Sequence, residues 1–300
     1  MKTSAYVVFN PQSGKGRGQK LVAPVLEALA RVGVQVEHGL TQKAGDESRL
    51  TLEALERGHE TVVAVGGDGT WSNVADALLK SGKPARLGLV PAGTGCDLAK
   101  SLGIPPRDVE ACARIVQAGA VKRIDVGRVE ERHFVNVVGF GFDIAVLEDS
   151  WKVRYLGGDL LYVYCALRQL AFFPGFPVEM AVDGGPVERR DLMMLIIANA
   201  RVFGGGFKIA PRADLADGRL DAVAFGNMRL ARRLPLMVRL LQGSHESSPE
   251  VATALGRSFS LRFEQPPAYE TDGEWNRARS TELRIETVPE ALQVLVPATD

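Results

Sequence analysis

Short, continuously apolar runs alternate with amphipathic stretches over the first third of the chain. Tyr6-Val7-Val8-Phe9, Thr61-Val62-Val63-Ala64-Val65 and Leu87-Gly88-Leu89-Val90 are rich in β-branched residues and show no polar alternation, which predicts strands buried on both faces. Helical spacing runs through residues 21–32 and 109–118, a helix-like segment follows Thr70, and another helix is expected from about Leu98. Strands alternating with helices predict an α/β unit around a parallel sheet. Beyond Ile124 the pattern changes. Strand-like runs at 134–138, 178–182, 192–198, 222–225, 259–263 and 283–287 are punctuated by Gly, Pro and Asp, as a β-sandwich requires. The chain has 300 residues, more than one core serves efficiently, so two domains are expected, 1–122 and 123–300. No internal repeat or low-complexity segment interrupts them.

Each of the three N-terminal strands runs into a glycine-bearing loop. Gly66-Gly67-Asp68-Gly69-Thr70 lies between strand and helix, where glycines let backbone N–H groups approach an anion and the helix adds its partially positive end. Asp68 would repel a bare phosphate, so its presence suits a divalent cation or an incoming hydroxyl beside the phosphate. The alternative is a structural turn with a capping Asp. Asn10-Pro11-Gln12-Ser13-Gly14-Lys15-Gly16-Arg17-Gly18 is a second anion-loop candidate without the Walker spacing, and a solvated basic turn is its alternative. Pro91-Ala92-Gly93-Thr94-Gly95-Cys96-Asp97 is the third. In an open parallel sheet such junctions share the carboxyl edge, where ligands bind, and together they point to phosphoryl chemistry.

Charge narrows the partners. Lys plus Arg and Asp plus Glu number 36 each, so there is no overall field to hold nucleic acid. Lys2-Thr3-Ser4 leads into a short strand, so no signal peptide is expected, and no apolar run is long enough to span a bilayer. Cys96, Cys112 and Cys165 are too scattered for a zinc motif and odd in number, which suits a reducing cytoplasm.

The three loops, taken in order with Arg123-Ile124-Asp125-Val126-Gly127, Phe134-Val135-Asn136-Val137-Val138-Gly139-Phe140-Gly141, Gly204-Gly205-Gly206-Phe207-Lys208-Ile209-Ala210-Pro211, Asp214-Leu215-Ala216-Asp217-Gly218 and Asp272-Gly273-Glu274, resemble the diacylglycerol kinase catalytic-domain family. That family includes bacterial lipid kinases and the sphingosine and ceramide kinases. The resemblance implies a Rossmann-like three-layer N-terminal domain of the NAD kinase and phosphofructokinase kind, and a C-terminal β-sandwich whose last ~10 residues return to the first domain. It implies transfer of the γ-phosphate of ATP, with Mg2+, to the hydroxyl of a lipid such as diacylglycerol in the cleft between two domains. By motif position Glu274 is the base and Asp68 organises the metal-water network. The nucleotide falls to Asn10, Pro11, Gln12, Ser13, Gly14, Thr41, Gly66, Gly67, Gly69, Thr70, Trp71, Ser72 and Thr94. Asp97 and Asp125 are similar to residues near the lipid headgroup, and Asp214, Asp217 and the carbonyl near Arg219 to a structural magnesium site. On spacing alone, that last cluster reads better as an Asp-Gly turn between strands.

Two departures stand out. Cys96 replaces the Asn of the family's Gly-Thr-Gly-Asn-Asp loop, and Ser72-Asn73 stand where Glu is common. A thiol at a helix N-terminus beside bound cations is expected to be a reactive thiolate. A lipid substrate also suggests peripheral contact at the inner membrane surface. Residues 155–173 carry Leu156, Leu160, Val163, Leu167 and Leu170 at helical spacing, which fits a membrane contact or a helix packed on the sandwich. Residues 229–241 mix Arg229, Arg232, Arg233 and Arg239 with leucines, which fits docking or a solvated basic face. A homodimer is compatible with the family. The rivals are an NAD kinase-like enzyme, against which the 91–97 loop argues, and a noncatalytic lipid-binding protein on a kinase scaffold, against which Asp68 and Glu274 argue.

Overall fold

The computed structural model describes residues 3–153 and 158–298. Its contacts divide the chain into two units, Met1–Val126 with His133–Val135 and Val288–Asp300, and Gly127–Arg132 with Asn136–Thr287.

In the first unit β1 (Ser4–Phe9), α1 (Ser13–Arg31), β2 (Gln35–Leu40), α2 (Asp46–Glu56), β3 (Thr61–Gly66), α3 (Asp68–Ser81), β4 (Arg86–Pro91), α4 (Asp97–Ser101) and α5 (Val109–Ala118) follow one another. The strands pair in parallel in the order β4-β3-β1-β2, with Val62 between Tyr6 and Leu87. Residues 5–9 and 61–66 are buried throughout, which is why these runs carry no polar alternation. Helix limits follow local chemistry. Asp108 accepts a hydrogen bond from the Ala111 N–H at 2.8 Å and starts α5, and Gly119, at φ 65°, ends it. Regular α1 begins only past Gly16, because Gly14, Lys15 and Gly16 hold φ of 59°, 60° and 85° and keep the preceding segment a loop.

The second unit is mainly antiparallel. After β5 (Val121–Val129) and β6 (Arg132–Phe134) come β7 (Val137–Gly141), α6 (Phe142–Lys152), α7 (Gly158–Phe172), β8 (Phe176–Val182), β9 (Glu188–Ala198), β10 (Leu220–Gly226), α8 (Leu230–Gln242), β11 (Val251–Gly256), β12 (Ser258–Arg262), β13 (Ala268–Thr271), β14 (Glu274–Arg277) and β15 (Glu282–Leu295). β9 is the hub, pairing with β7, β8 and β10. Its residues Met193, Met194 and Ile196 belong to one core with Phe225, Leu236 and Leu240. The strand expected over 134–138 is broken at Val135 and Asn136. The Asn136 N–H goes to Asp272 Oδ1 at 2.8 Å and its carbonyl accepts Asn199 and Ala200 N–H groups, so this residue is spent outside the ladder. The observed class is α/β with a parallel N-terminal sheet, followed by a sandwich-like strand assembly, as the apolar pattern predicts. The end of β15 belongs to the first unit, where Gln293 and Val294 pair in parallel with Arg86 and Leu87 of β4.

Candidate active site

Three loops of the first unit are pressed together with backbone against backbone. A Cβ added to Gly14 would lie 2.0 Å from the Ala92 carbonyl oxygen, and one added to Gly93 would lie 2.6 Å from the Gly67 Cα. Only glycine permits such an approach. Hydrogen bonds fix it. The Gly66 carbonyl accepts the N–H groups of Ala92 at 2.8 Å and Gly93 at 3.0 Å, and the Asn10 N–H reaches the Val65 carbonyl at 3.0 Å. Asn10 Nδ2 donates to Thr70 Oγ1 at 3.0 Å, tying the first loop to the start of α3. Asp68 joins the third, its Oδ1 accepting the N–H groups of Asp97 at 2.7 Å and Leu98 at 3.3 Å. The Asn10, Gly66 and Pro91 junctions thus form one surface of backbone N–H groups, hydroxyls and a single central carboxylate.

The expected nucleotide residues divide in two. Asn10, Pro11, Gln12, Ser13, Gly14, Gly66, Gly67, Gly69, Thr70 and Thr94 belong to these loops, and Thr94 is exposed. Thr41 is held nearby in chain terms, its N–H on the Phe9 carbonyl at 2.9 Å. Trp71 and Ser72 do not face the loop. Trp71 is fully buried with its ring N–H on the Ala64 carbonyl at 3.1 Å, and Ser72 is 1 % exposed, so both side chains belong to the core under α3. Asp125 is 0 % exposed and its Oδ1 accepts the Glu290 N–H at 2.7 Å. Asp97 is nearly buried and pairs with Lys100 at 3.0 Å.

Two acids were missed. Asp46 Oδ2 accepts the N–H groups of Gln42 and Lys43 at 2.8 and 3.1 Å and shapes the Thr41 loop, and buried Glu47 accepts Asn10 Nδ2 at 3.2 Å. Acids in a first helical turn read as ordinary dipole partners, so nothing in the sequence marks their second task.

The structure does not favour the reactive thiolate expected at Cys96. Cys96 is buried in a left-handed conformation (φ 54°), and burial, with Asp68 next, pushes its thiol up to about 11. The five-residue α4 is too short for its dipole to compete.

In the second unit, Asp272 and Gly273 have φ of 51° and 88°, and Thr271 pairs with Glu274, which defines a two-residue hairpin turn. Asp272 Oδ1 accepts the N–H groups of Asn136 and Val137, and Glu274 stands exposed on the turn. Asp214 and Asp217 are exposed and each caps a turn, with Oδ1 accepting the N–H of Ala216 at 3.1 Å and of Arg219 at 2.9 Å. Among the described residues no group of three metal-ligating side chains gathers anywhere. Asp214 and Asp217 offer two exposed carboxylates beside the Arg219 backbone. Burial, followed by Asp217 and Glu246, pushes Asp221 up to about 6.

The segment at 155–173 lies partly outside the described residues, which include neither Tyr155 nor Leu156. On α7, Val163, Tyr164, Leu167 and Phe172 are exposed, Phe172 by 80 %. Of the four arginines expected on a basic face, Arg229, Arg232 and Arg239 are exposed and Arg233 is not. Arg233 is buried, donating to the carbonyls of Leu170, Phe173 and Met228 and to Asn227 Oδ1, while Arg232 pairs with Glu250 and Arg239 donates to Ser248. Beside these arginines α8 exposes a stripe of Leu230, Leu234, Val238 and Leu241. No helix among the described residues is long and apolar enough to cross a membrane.

Residues 4–129 match the diacylglycerol kinase catalytic domain, and residues 136–296 match the YegS C-terminal NAD kinase beta sandwich-like domain. A diacylglycerol kinase of Mycobacterium tuberculosis is 32% identical over 293 residues, covering 96% of this chain and 93% of its own. The chain belongs to the diacylglycerol kinase catalytic-domain family. Members of this lipid kinase family include a diacylglycerol kinase of Bacillus subtilis, 28% identical over 90% of this chain and 89% of its own. A crystal structure of a diacylglycerol kinase from Bacillus anthracis str. Sterne shares the fold, with a TM-score of 0.75 at 20% identity over 99% of this chain and 97% of that one. The family is one of kinases, which are transferases.

Proposed function

We propose that this chain transfers the γ-phosphoryl group of magnesium-ATP to the hydroxyl of a lipid such as diacylglycerol. The observation that carries the reading is the packing of three glycine loops around Asp68 at one edge of a parallel sheet. Phosphoryl transfer asks a protein mostly for positioning and neutralisation of charge. The N–H groups and hydroxyls of residues 10–14, 66–70 and 94 hold the phosphates, Thr41 contacts the nucleotide, and Asp97 contacts the acceptor. A divalent cation arriving with the nucleotide offsets the charge that builds on the transferring group. Asp68, whose Oδ1 accepts the Asp97 and Leu98 N–H groups, would orient the cation's hydration shell. Glu274 takes the proton of the lipid hydroxyl as its oxygen bonds to the γ-phosphorus and the bond to the ADP oxygen breaks.

Access to a lipid is supported by α8. Four apolar side chains at 48–54 % exposure lie along one helical face, the pattern of a helix that rests its apolar side on a lipid surface. Labelled ATP offered with dispersed diacylglycerol, with NAD, or with no acceptor tests the reading. Label in extracted lipid supports it. Label in NADP would establish the rival kinase, and absence of any labelled product would leave a noncatalytic lipid binder.

A further inference from the structure

The second unit contains two acids that the proposed reaction does not use. Asp143 lies in the first turn of α6, and Glu270 lies in β13, directly opposite Gly139 of β7. Both Asp143 oxygens and Glu270 Oε1 are shut off from solvent, the Asp143 carboxyl near only the N–H groups of Asp143 and Ile144 at the start of α6 and no side-chain donor among the described residues bonding either acid at these oxygens. Both border the space that Gly139 leaves open. A Cβ there would lie 2.2 Å from Asp143 Oδ2 and 3.1 Å from Glu270 Oε1. The remaining oxygen, Glu270 Oε2, accepts the Gly273 N–H at 2.5 Å, one residue before Glu274.

Among the described residues the charged groups that bear most on Glu270 are Asp143 from α6 and Asp272 and Glu274 from the hairpin, all acidic. Glu148, also on α6, is engaged by the Trp275 ring N–H, and Arg132 donates to Thr271 Oγ1 on the opposite face of β13. The nearest β9 neighbour at this point is Ile196. Two buried carboxylates so placed cannot both ionise, and one proton between them supplies the side-chain donor that these oxygens lack.

We infer that Asp143 and Glu270 share a proton and form a positioning pair that fixes the Asp272–Gly273 turn and so aims Glu274. Burial raises both acids, Asp143 to about 7, and the Asp143 charge raises Glu270 further, in agreement with a proton retained at neutral pH. When pH rises and the shared proton leaves, two like charges face each other in a dry pocket. Glu270 is then driven off the Gly273 N–H, and the aim of Glu274 is lost. The second half of this inference rests on Glu274 being the base, and the first half does not.

Infrared difference spectra of the full chain, taken from roughly pH 5 to 10, read the shared proton without any assay. The expected result is a protonated-carboxyl band at neutral pH that disappears on alkalinisation and is absent from both Asp143→Asn and Glu270→Gln. A neutral-pH spectrum without that band, or one unaltered by either substitution, overturns the pair. Turnover reads the positioning. Glu270→Ala should lower kcat about tenfold to a hundredfold with the KM for ATP unchanged, as a displaced reacting group does. Glu270→Gln, which keeps an acceptor for the Gly273 N–H and adds a donor toward Asp143, should restore turnover and abolish the alkaline fall in the wild-type profile. Equal loss in Ala and Gln variants, or an alkaline fall retained in Gln, overturns the positioning role. Should Glu274→Gln prove fully active, the base assignment fails while the infrared band still stands or falls by itself.

Discussion

Gly93→Ala isolates the loop packing on which the site depends. Gly93 is not in the left-handed region, so an alanine there meets no backbone strain, only space. The added Cβ would stand 2.6 Å from the Gly67 Cα and 3.3 Å from its nitrogen, both backbone atoms that cannot rotate away. Ordinary contact begins at 3.4 Å, so the two loops must part by about 1 Å, and the 2.8 and 3.0 Å bonds from Ala92 and Gly93 to the Gly66 carbonyl stretch with them. Overpacking of this kind costs about 1–3 kcal/mol of stability. A misplacement of about 1 Å in reacting groups costs on the order of a hundredfold in turnover. Steady-state kinetics over an ATP titration, alongside urea unfolding, separates the two: kcat/KM for ATP should fall by about that factor while the protein stays folded. A Gly93→Ala protein with wild-type kcat and KM would refute the reasoning, because the close approach would then have no bearing on the phosphates.

The remaining predictions concern single side chains. Glu274→Gln should lower kcat by about a hundredfold to ten-thousandfold with ATP affinity intact, measured by single-turnover transfer of label; parallel loss of binding and rate would make it a structural turn residue. Cys96, with its thiol near 11, carries on the order of ten-thousandfold less thiolate than thiol at neutral pH, so maleimide should leave it unlabelled in the native protein and label it in urea, as peptide mass mapping would show. Arg233→Met strands the carbonyls of Leu170 and Phe173 and should cost about 3 kcal/mol or more in urea unfolding; a change below about 0.5 kcal/mol would mean that the clamp is not needed. Asp143→Asn should raise the melting temperature at alkaline pH. The folded acid is raised to about 7, above its unfolded value, so its stabilisation is present in full below about pH 4 and disappears as pH rises through about 7; equal melting shifts at pH 5 and 8 would contradict this.

Much of the first unit was legible because its signals are local. Continuous apolar runs such as Thr61-Val62-Val63-Ala64-Val65 have no reading except a strand covered on both faces, and glycines just past them mark where backbone comes close. The Asp272-Gly273 turn was equally plain. What the sequence hid are partnerships between distant residues. Trp71 sits one residue beyond the glycine loop, and only the helix direction shows that its ring points into the core. Asp125 looks like any acid in a site motif until the Glu290 N–H, supplied from far along the chain, is found on it. The four arginines near α8 resemble a basic face, yet Arg233 is consumed by the carbonyls at the end of α7. Gly139, inside a strand, was the one written hint of the Asp143 and Glu270 pair, since glycine in a strand marks something close by.

The return of β15 to the first unit has a consequence for how the protein is made. The outer edge of β4 is covered by Gln293 and Val294, which leave the ribosome roughly 200 residues after Arg86 and Leu87. At a synthesis rate of about 5–20 residues per second, that edge waits on the order of ten to forty seconds for its neighbour. During this interval β4 presents open N–H and C=O groups and fully buried-type side chains such as Leu87 to anything that can add a strand. A fragment ending after Val126 would keep this open edge permanently. Such a fragment should self-associate, whereas appending residues 282–298 in trans should keep it dispersed.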